Sequence, residues 1–158
     1  MIYVTIGTQL PFDRLIRIMD ELAPQLDEEI IAQVYKCDFK PKHIKTVDFL
    51  APDKFTALFD SARLIVSHAG IGTILTALQK DKPIIIFPRI AALGEHRNEH
   101  QLATAKRFKE MGVLNVAMDE KELTEMLLSG NLAPQKHIGR RAAPSLIQAV
   151  EDFIESEE

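Results

Sequence analysis

Two stretches of this chain gather residue types that could handle an anion or a polyhydroxylated ligand. The first is Ser67-His68-Ala69-Gly70-Ile71-Gly72-Thr73, set between the apolar run Leu64–Val66 and the helical spacing of Ile74, Leu75 and Leu78. A strand that runs into a glycine-broken turn at the start of a helix leaves backbone N–H groups unpaired. Those groups and the positive end of the helix dipole both face the turn, which suits a phosphate. Thr73 is expected to open the helix, and His68 would add a donor, with positive charge when protonated. The same turn also serves plain strand-to-helix connections, and a lone histidine commonly packs and bonds locally, so the stretch alone leaves both readings open. Ser67 is no hydrolase nucleophile, because Ser-His-Ala-Gly is not G-x-S-x-G.

The second stretch is Gly94-Glu95-His96-Arg97-Asn98-Glu99-His100-Gln101, the densest polar cluster in the chain. His96 and His100 have the spacing of a metal pair on one helix face, with Glu95 or Glu99 as a further ligand. The pattern is not H-E-x-x-H, and a donor- and acceptor-rich helix start fits a sugar better than a metal. Gly7-Thr8-Gln9 is a third candidate, either a phosphate or sugar contact or a turn that needs positive φ at glycine. Arg89 follows a buried strand and either neutralises an anion in a crevice or points to solvent. Neither the G-x-G-x-x-G fingerprint nor a P-loop is present. Cys37, after an apolar strand, reads as a packed thiol, and His43 and His137 as surface residues.

The elements that must position these residues follow from hydrophobic spacing. Strands are expected at Ile2–Ile6, Ile30–Tyr35, Ile44–Leu50, Leu64–Ser67, Ile84–Phe87 and Val113–Ala117. Helices are expected over about 11–26 with Pro11 in the first turn, from Pro52, from Thr73, over about 96–110, from Asp119 to Leu128, and over about 143–155. Asp119 with Glu122 resembles a capping box. Alternation of this kind predicts an α/β fold, a Rossmann-like parallel sheet of about six strands with helices on both faces. Ligands of such sheets bind at the carboxyl ends of the strands, at the switch point, where the loops after the first, fourth and fifth strands would meet.

The chain has 158 residues, 46% hydrophobic and 27% charged, which suits one domain spanning 1–158. A net charge of -4 argues against a nucleic-acid partner. A single cysteine excludes an internal disulfide and a cysteine metal cage. Met1 leads directly into strand pattern without a basic n-region, and no run approaches the roughly 20 apolar residues of a membrane span. The expected location is therefore cytoplasmic.

Together, Val4-Thr-Ile-Gly-Thr8, Ser67–Thr73, Lys82-Pro-Ile-Ile-Ile-Phe-Pro88 and Asn98-Glu-His-Gln101 resemble the C-terminal, donor-binding half of family 28 glycosyltransferases. The likeness runs from Met1 to about Leu128 and is greatest to stand-alone subunits of the Alg13, PssE and EpsF types. It implies half of a GT-B enzyme, two Rossmann-like domains facing a cleft. By resemblance Gly7, Thr8, Ser67, His68, Gly70, Gly72 and Thr73 hold the UDP diphosphate, and Phe49 and Leu50 match the segment whose backbone reads uracil. Gln9, Arg89, Asn98, His100 and Gln101 would contact the sugar. Glu95 and His96 would be the catalytic candidates, with the general base otherwise on a partner. Thr76 stands where larger members carry a ribose-binding glutamate.

The implied activity is that of a UDP-sugar-dependent hexosyltransferase, the donor-binding catalytic subunit of a two-component inverting enzyme. It would move a hexose or N-acetylhexosamine to a lipid-linked saccharide in exopolysaccharide or related glycan synthesis. No cofactor and no tightly bound metal are expected. The implied partner is a membrane-anchored acceptor subunit of Alg14 or PssD type, which would recruit the chain to the cytoplasmic face of the membrane, with the 143–155 helix a possible contact. The alternative is a non-catalytic nucleotide-sugar enhancer or sensor module. A nicotinamide-binding reading is disfavoured by the missing fingerprint and by the lack of an acidic residue ending the second strand.

Overall fold

A computed structural model describes residues 1–133, with Gln148 and Asp152 beyond them. The 143–155 helix therefore lies outside the described residues apart from those two. The elements are β1 (Ile2–Thr5), α1 (Asp13–Leu22), a 3₁₀ turn (Ala23–Gln25), β2 (Ile30–Gln33), β3 (Lys45–Val47), α2 (Pro52–Ser61), β4 (Leu64–Ser67), α3 (Ile71–Gln79), β5 (Ile84–Ile86), a 3₁₀ turn (Ala91–Leu93), α4 (His100–Met111), β6 (Asn115–Val116) and α5 (Glu120–Ser129).

The six strands form one sheet in the order β3-β2-β1-β4-β5-β6, and every pair is parallel. Alternate side chains of β1 face opposite layers, which is why Ile2–Thr5 is apolar almost throughout. Ile2 and Val4 join Leu15, Ile16 and Met19 of α1 and Leu123 and Leu127 of α5. Tyr3 joins Phe59 of α2, Ile74 and Leu78 of α3, and Phe108 of α4. The expected Rossmann-like sheet with helices on both faces is thus the observed fold. Truncating a fully buried ring such as Phe59 or Phe108 is expected to destabilise it by about 3–5 kcal/mol.

Three helix starts differ from the sequence expectation. α1 begins at Asp13, because Leu15 and Ile16 bond to the Phe12 carbonyl while the Pro11 carbonyl is taken by Arg89. Its end tightens into the 3₁₀ turn that contains Pro24, which has no N–H to donate. α3 begins at Ile71 rather than Thr73, with Ile74 N–H on the Gly70 carbonyl. α4 begins at His100, so His96 lies in the preceding loop and not on a shared helical face with His100. The expected cap of α5 is present: Asp119 accepts from Glu122 N–H at 2.8 Å, and Glu122 accepts from Met118 N–H at 2.8 Å.

Between the parallel strands β2 and β3 the chain crosses over as a loop and not as a helix. Its amides need partners, and two carboxylates of α1 supply them. Asp13 accepts from Asp38 and Phe39 N–H. Asp20, 4% exposed, accepts from Lys42, His43 and Ile44 N–H. Burial would raise the Asp20 pKa, but these backbone bonds to His43, Lys42 and Ile44 outweigh it and hold the carboxyl below the usual range.

Candidate functional site

From β1 the chain builds outward through β2 to β3, then returns by α2 to β4 on the other side of β1. The loops after β1 and β4 therefore part in opposite directions and leave a crevice at the carboxyl edge of the sheet. It encloses about 270 Å³ and is lined by Ile6, Gly7, Thr8, Gln9, Leu10, His68, Gly70, Gly72, Thr73, Arg89, His96 and Gln101. The first turn of α3 opens into it. No side chain caps that turn and no acidic residue lies in it, so its N–H groups are directed at whatever anion enters.

His68 is the centre of the crevice wall. Its ring lies against two glycines whose missing side chains make the space. A Cβ at Gly70 would come within 2.3 Å of the ring's Cε1, and one at Gly7 within 2.9 Å of Nε2. Gly7 also has φ +74°, a left-handed conformation that other residues adopt only with strain. On its other side the ring meets Gln101, whose Nε2 is 2.9 Å from Nδ1. The Gln101 Oε1 accepts from Arg89 backbone N–H at 3.1 Å. Burial, helped by the charges of Arg89 and His96, pushes the His68 pKa down to about 4. His68 is therefore neutral at pH 7, and the positive charge entertained for it beside a phosphate is absent.

Arg89 also lines the crevice, and there its guanidinium is engaged by main-chain carbonyls. It is 2% exposed, and its two terminal nitrogens donate to the carbonyls of Pro11 (2.6 Å), Glu95 (3.1 Å), Leu10 (2.7 Å) and Ile6. It ties the loop after β1 to the loop after β5 while its guanidinium lies 4.8 Å from the Phe12 ring centre. Burial lowers its pKa to about 10, against the opposing pull of Glu95, and leaves it charged at neutral pH.

Glu95 departs from a catalytic placement. Its carboxylate forms a two-point pair with Arg14, from Nε at 2.9 Å and from Nη2 at 2.8 Å, and also accepts from Ile90 N–H at 3.0 Å. It lines a neighbouring depression with Arg14, Arg17 and Leu93, not the crevice. A carboxylate held this way fixes the loop and is poorly placed to take a proton from an acceptor. Arg14, which also donates to Pro88 O and lies 4.4 Å from the Phe87 ring centre, is the supporting residue that sequence reasoning missed. Nothing in its helical spacing marks it apart from any solvent-facing arginine.

Of the other expected contacts, Gly7, Thr8, Gln9, His68, Gly70, Gly72, Thr73, His96 and Gln101 are brought together around the crevice. Ser67 is not: it is fully buried, and its hydroxyl donates inward to the His68 carbonyl at 2.8 Å. Phe49 (69% exposed) and Leu50 follow β3 and do not line the crevice, nor do Asn98 and His100. The Asn98 amide oxygen accepts from His100 N–H at 3.1 Å, ahead of α4. Thr76 donates its hydroxyl back to the Gly72 carbonyl at 2.8 Å. Cys37 is half-buried and donates to Phe39 O, with a pKa raised to about 11 by burial and the neighbouring Asp13, so it is a packed thiol. Among the described residues no group of three or more His, Cys, Asp and Glu side chains could hold a metal ion. None of their helices is long and apolar enough to cross a membrane.

Comparison with known proteins adds a second line of evidence. A UDP-N-acetylglucosamine transferase subunit ALG13 of Eremothecium gossypii is 36% identical over 94 residues, covering 57% of this chain and 44% of that protein. The subunit of the same name from Mus musculus is 29% identical over 123 residues, 71% of this chain and 10% of that protein. The chain thus spans less than half the length of these relatives. Among solved structures, an NMR structure of ALG13 superposes with a TM-score of 0.64 at 20% identity, covering 98% of this chain and 96% of that one. The glycosyltransferase SnogD from Streptomyces nogalater superposes with a TM-score of 0.51 at 22% identity over 98% of this chain and 41% of that one. Both superpositions agree with the fold of the C-terminal half of a GT-B glycosyltransferase. The family model of the glycosyltransferase family 28 C-terminal domain matches residues 1–156, and this chain belongs to that family.

Proposed function

We propose that the chain is the donor-binding subunit of a two-component inverting glycosyltransferase whose donor is a UDP-activated N-acetylhexosamine. The observation that carries this reading is the crevice at the switch point, where an uncapped helix N-terminus and a neutral histidine seated against Gly7 and Gly70 converge. That the ALG13 relatives are UDP-N-acetylglucosamine transferase subunits supports the choice of donor. The acceptor is a lipid-linked saccharide in exopolysaccharide or related glycan synthesis, held by a membrane-anchored subunit that also brings this chain to the membrane.

In this reading an acceptor hydroxyl attacks the anomeric carbon and UDP departs. Charge then grows on the leaving diphosphate. The first-turn N–H groups of α3 and the His68 ring face the position it would occupy, and fixed donors of this kind stabilise the transition state without reorganising. With Glu95 locked against Arg14, the base that accepts the acceptor's proton is His96 or a residue of the partner. That lock also favours a chain that is inactive alone. The test is thermal unfolding of the isolated chain with UDP and a panel of UDP-sugars, followed by transfer assays with and without the partner. UDP is expected to raise the melting temperature by mass action, and transfer is expected only with the partner. Absence of any shift with UDP refutes the nucleotide site. Transfer that persists after His68→Ala, or fails to appear with the partner, favours a non-catalytic binding module.

A further inference from the structure

We infer that Gln101 is a positioning residue that sets the tautomer of His68, so that the crevice presents a fixed, uncharged Nε2–H donor at the Gly7 turn. The argument begins with the backbone. Arg89 N–H can only donate, so the Gln101 amide atom 3.1 Å from it is the oxygen. The amide nitrogen then faces His68 Nδ1 at 2.9 Å. An amide NH₂ can only donate, and Nδ1 must accept. In a neutral imidazole the proton is then on Nε2. Ordinarily amide flips and histidine tautomers are open choices, but here one main-chain N–H decides both.

The direction of that proton gives the arrangement its consequence. Nε2 is the ring atom nearest the Gly7 position, and Gly7 lines the crevice beside the first turn of α3. With the opposite tautomer a nitrogen lone pair would face the incoming anion and repel it. A protonated ring would supply the donor, but burial and the adjacent charges of Arg89 and His96 oppose that form. Gln101 obtains the donor without the charge. Both polar atoms of its amide are engaged with the protein and the residue is 8% exposed, so its burial has a sufficient cause before any sugar hydroxyl is added.

The ligand part of this proposal rests on the nucleotide-sugar reading, and the experiment separates the two. Nitrogen-resolved NMR of the imidazoles in the unliganded wild-type protein reads the tautomer directly, with His68 assigned by His68→Asn. The expected result is an unprotonated Nδ1 and a protonated Nε2. In Gln101→Glu the carboxylate still accepts from Arg89 N–H but cannot donate to Nδ1. The ring proton is expected to move to Nδ1. Affinity is then measured by calorimetry at pH 8 for UDP and for UDP-N-acetylglucosamine, with Gln101→Leu alongside and thermal unfolding as the check of fold. A positioning role weakens both ligands by a similar factor, about tenfold, because UDP has no sugar to lose. Weakening confined to the UDP-sugar means that Gln101 contacts the sugar directly, and overturns the proposal. So does a wild-type His68 protonated on Nδ1, a result that stands even if the variants fold poorly. A wild-type protein that binds neither ligand overturns the nucleotide reading beneath it.

Discussion

Lowering the pH from 7 to 5 tests the burial of His68 in the crevice wall. Its folded pKa is about 4 against an ordinary value of 6.5. Below pH 6.5 the unfolded chain takes up a proton at this residue that the folded chain refuses, so stability falls as the pH drops toward 4. At 1.36 kcal/mol per unit the full difference is about 3 kcal/mol, of which about 2 kcal/mol is lost between pH 7 and pH 5. The carboxyls of Asp20 and Glu28 are held below their usual range, so their contributions are lost only at lower pH, outside this window. The assay is urea unfolding of the wild type and His68→Asn at pH 7, 6 and 5. The wild-type advantage is expected to shrink by about 2 kcal/mol, or roughly 1 M in midpoint at an ordinary urea slope. Two curves that stay parallel across the window would refute a neutral, desolvated His68, and with it the electrostatic picture of the crevice.

Other substitutions probe the parts that support this residue. Gly70→Ala places a Cβ on the His68 ring; it is expected to destabilise the fold by about 1–3 kcal/mol and to weaken UDP at least tenfold in a calorimetric titration. Arg89→Lys replaces a fork that reaches four carbonyls with a point charge carrying fewer donors; a loss of about 2–4 kcal/mol in denaturant unfolding is expected, together with weaker UDP binding. Asp20→Ala strands three loop amides; about 2–4 kcal/mol is expected to be lost at pH 7, and the variant's shortfall should narrow as the pH falls through the depressed pKa of the wild-type carboxyl. Thr76→Glu restores the carboxylate of larger family members, and tighter UDP binding with unchanged stability is expected in the same titration.

The sheet was readable in the sequence because each central strand is a short apolar run, the pattern of a strand buried on both faces. The crevice was readable in part, because the turns after β1 and β4 need glycine: Gly7 for its positive φ, Gly70 for the close approach of His68. Three features were hidden for a common physical reason. Arg89 and Glu95 read as ligand or catalytic candidates in their own segments, and nothing local marks Asp20. Each is buried by main-chain or side-chain partners far along the chain, and no local period encodes such pairing. Ser67 misled in the opposite way: its motif position suggested a ligand, while its place at the end of a buried strand turned the hydroxyl inward.

The Arg89 tie also bears on the order in which the chain can be assembled. The carbonyls of Ile6, Leu10 and Pro11 receive their donors from a side chain 78 to 83 residues away. Until β5 has been laid beside β4 and Arg89, three residues past its end, has come into place, the turn after β1 has only water for those groups. Strands β1 to β4 can pair without it, but the crevice wall formed by that turn cannot take its final shape. The crevice is therefore completed late, after the sheet has crossed its switch point.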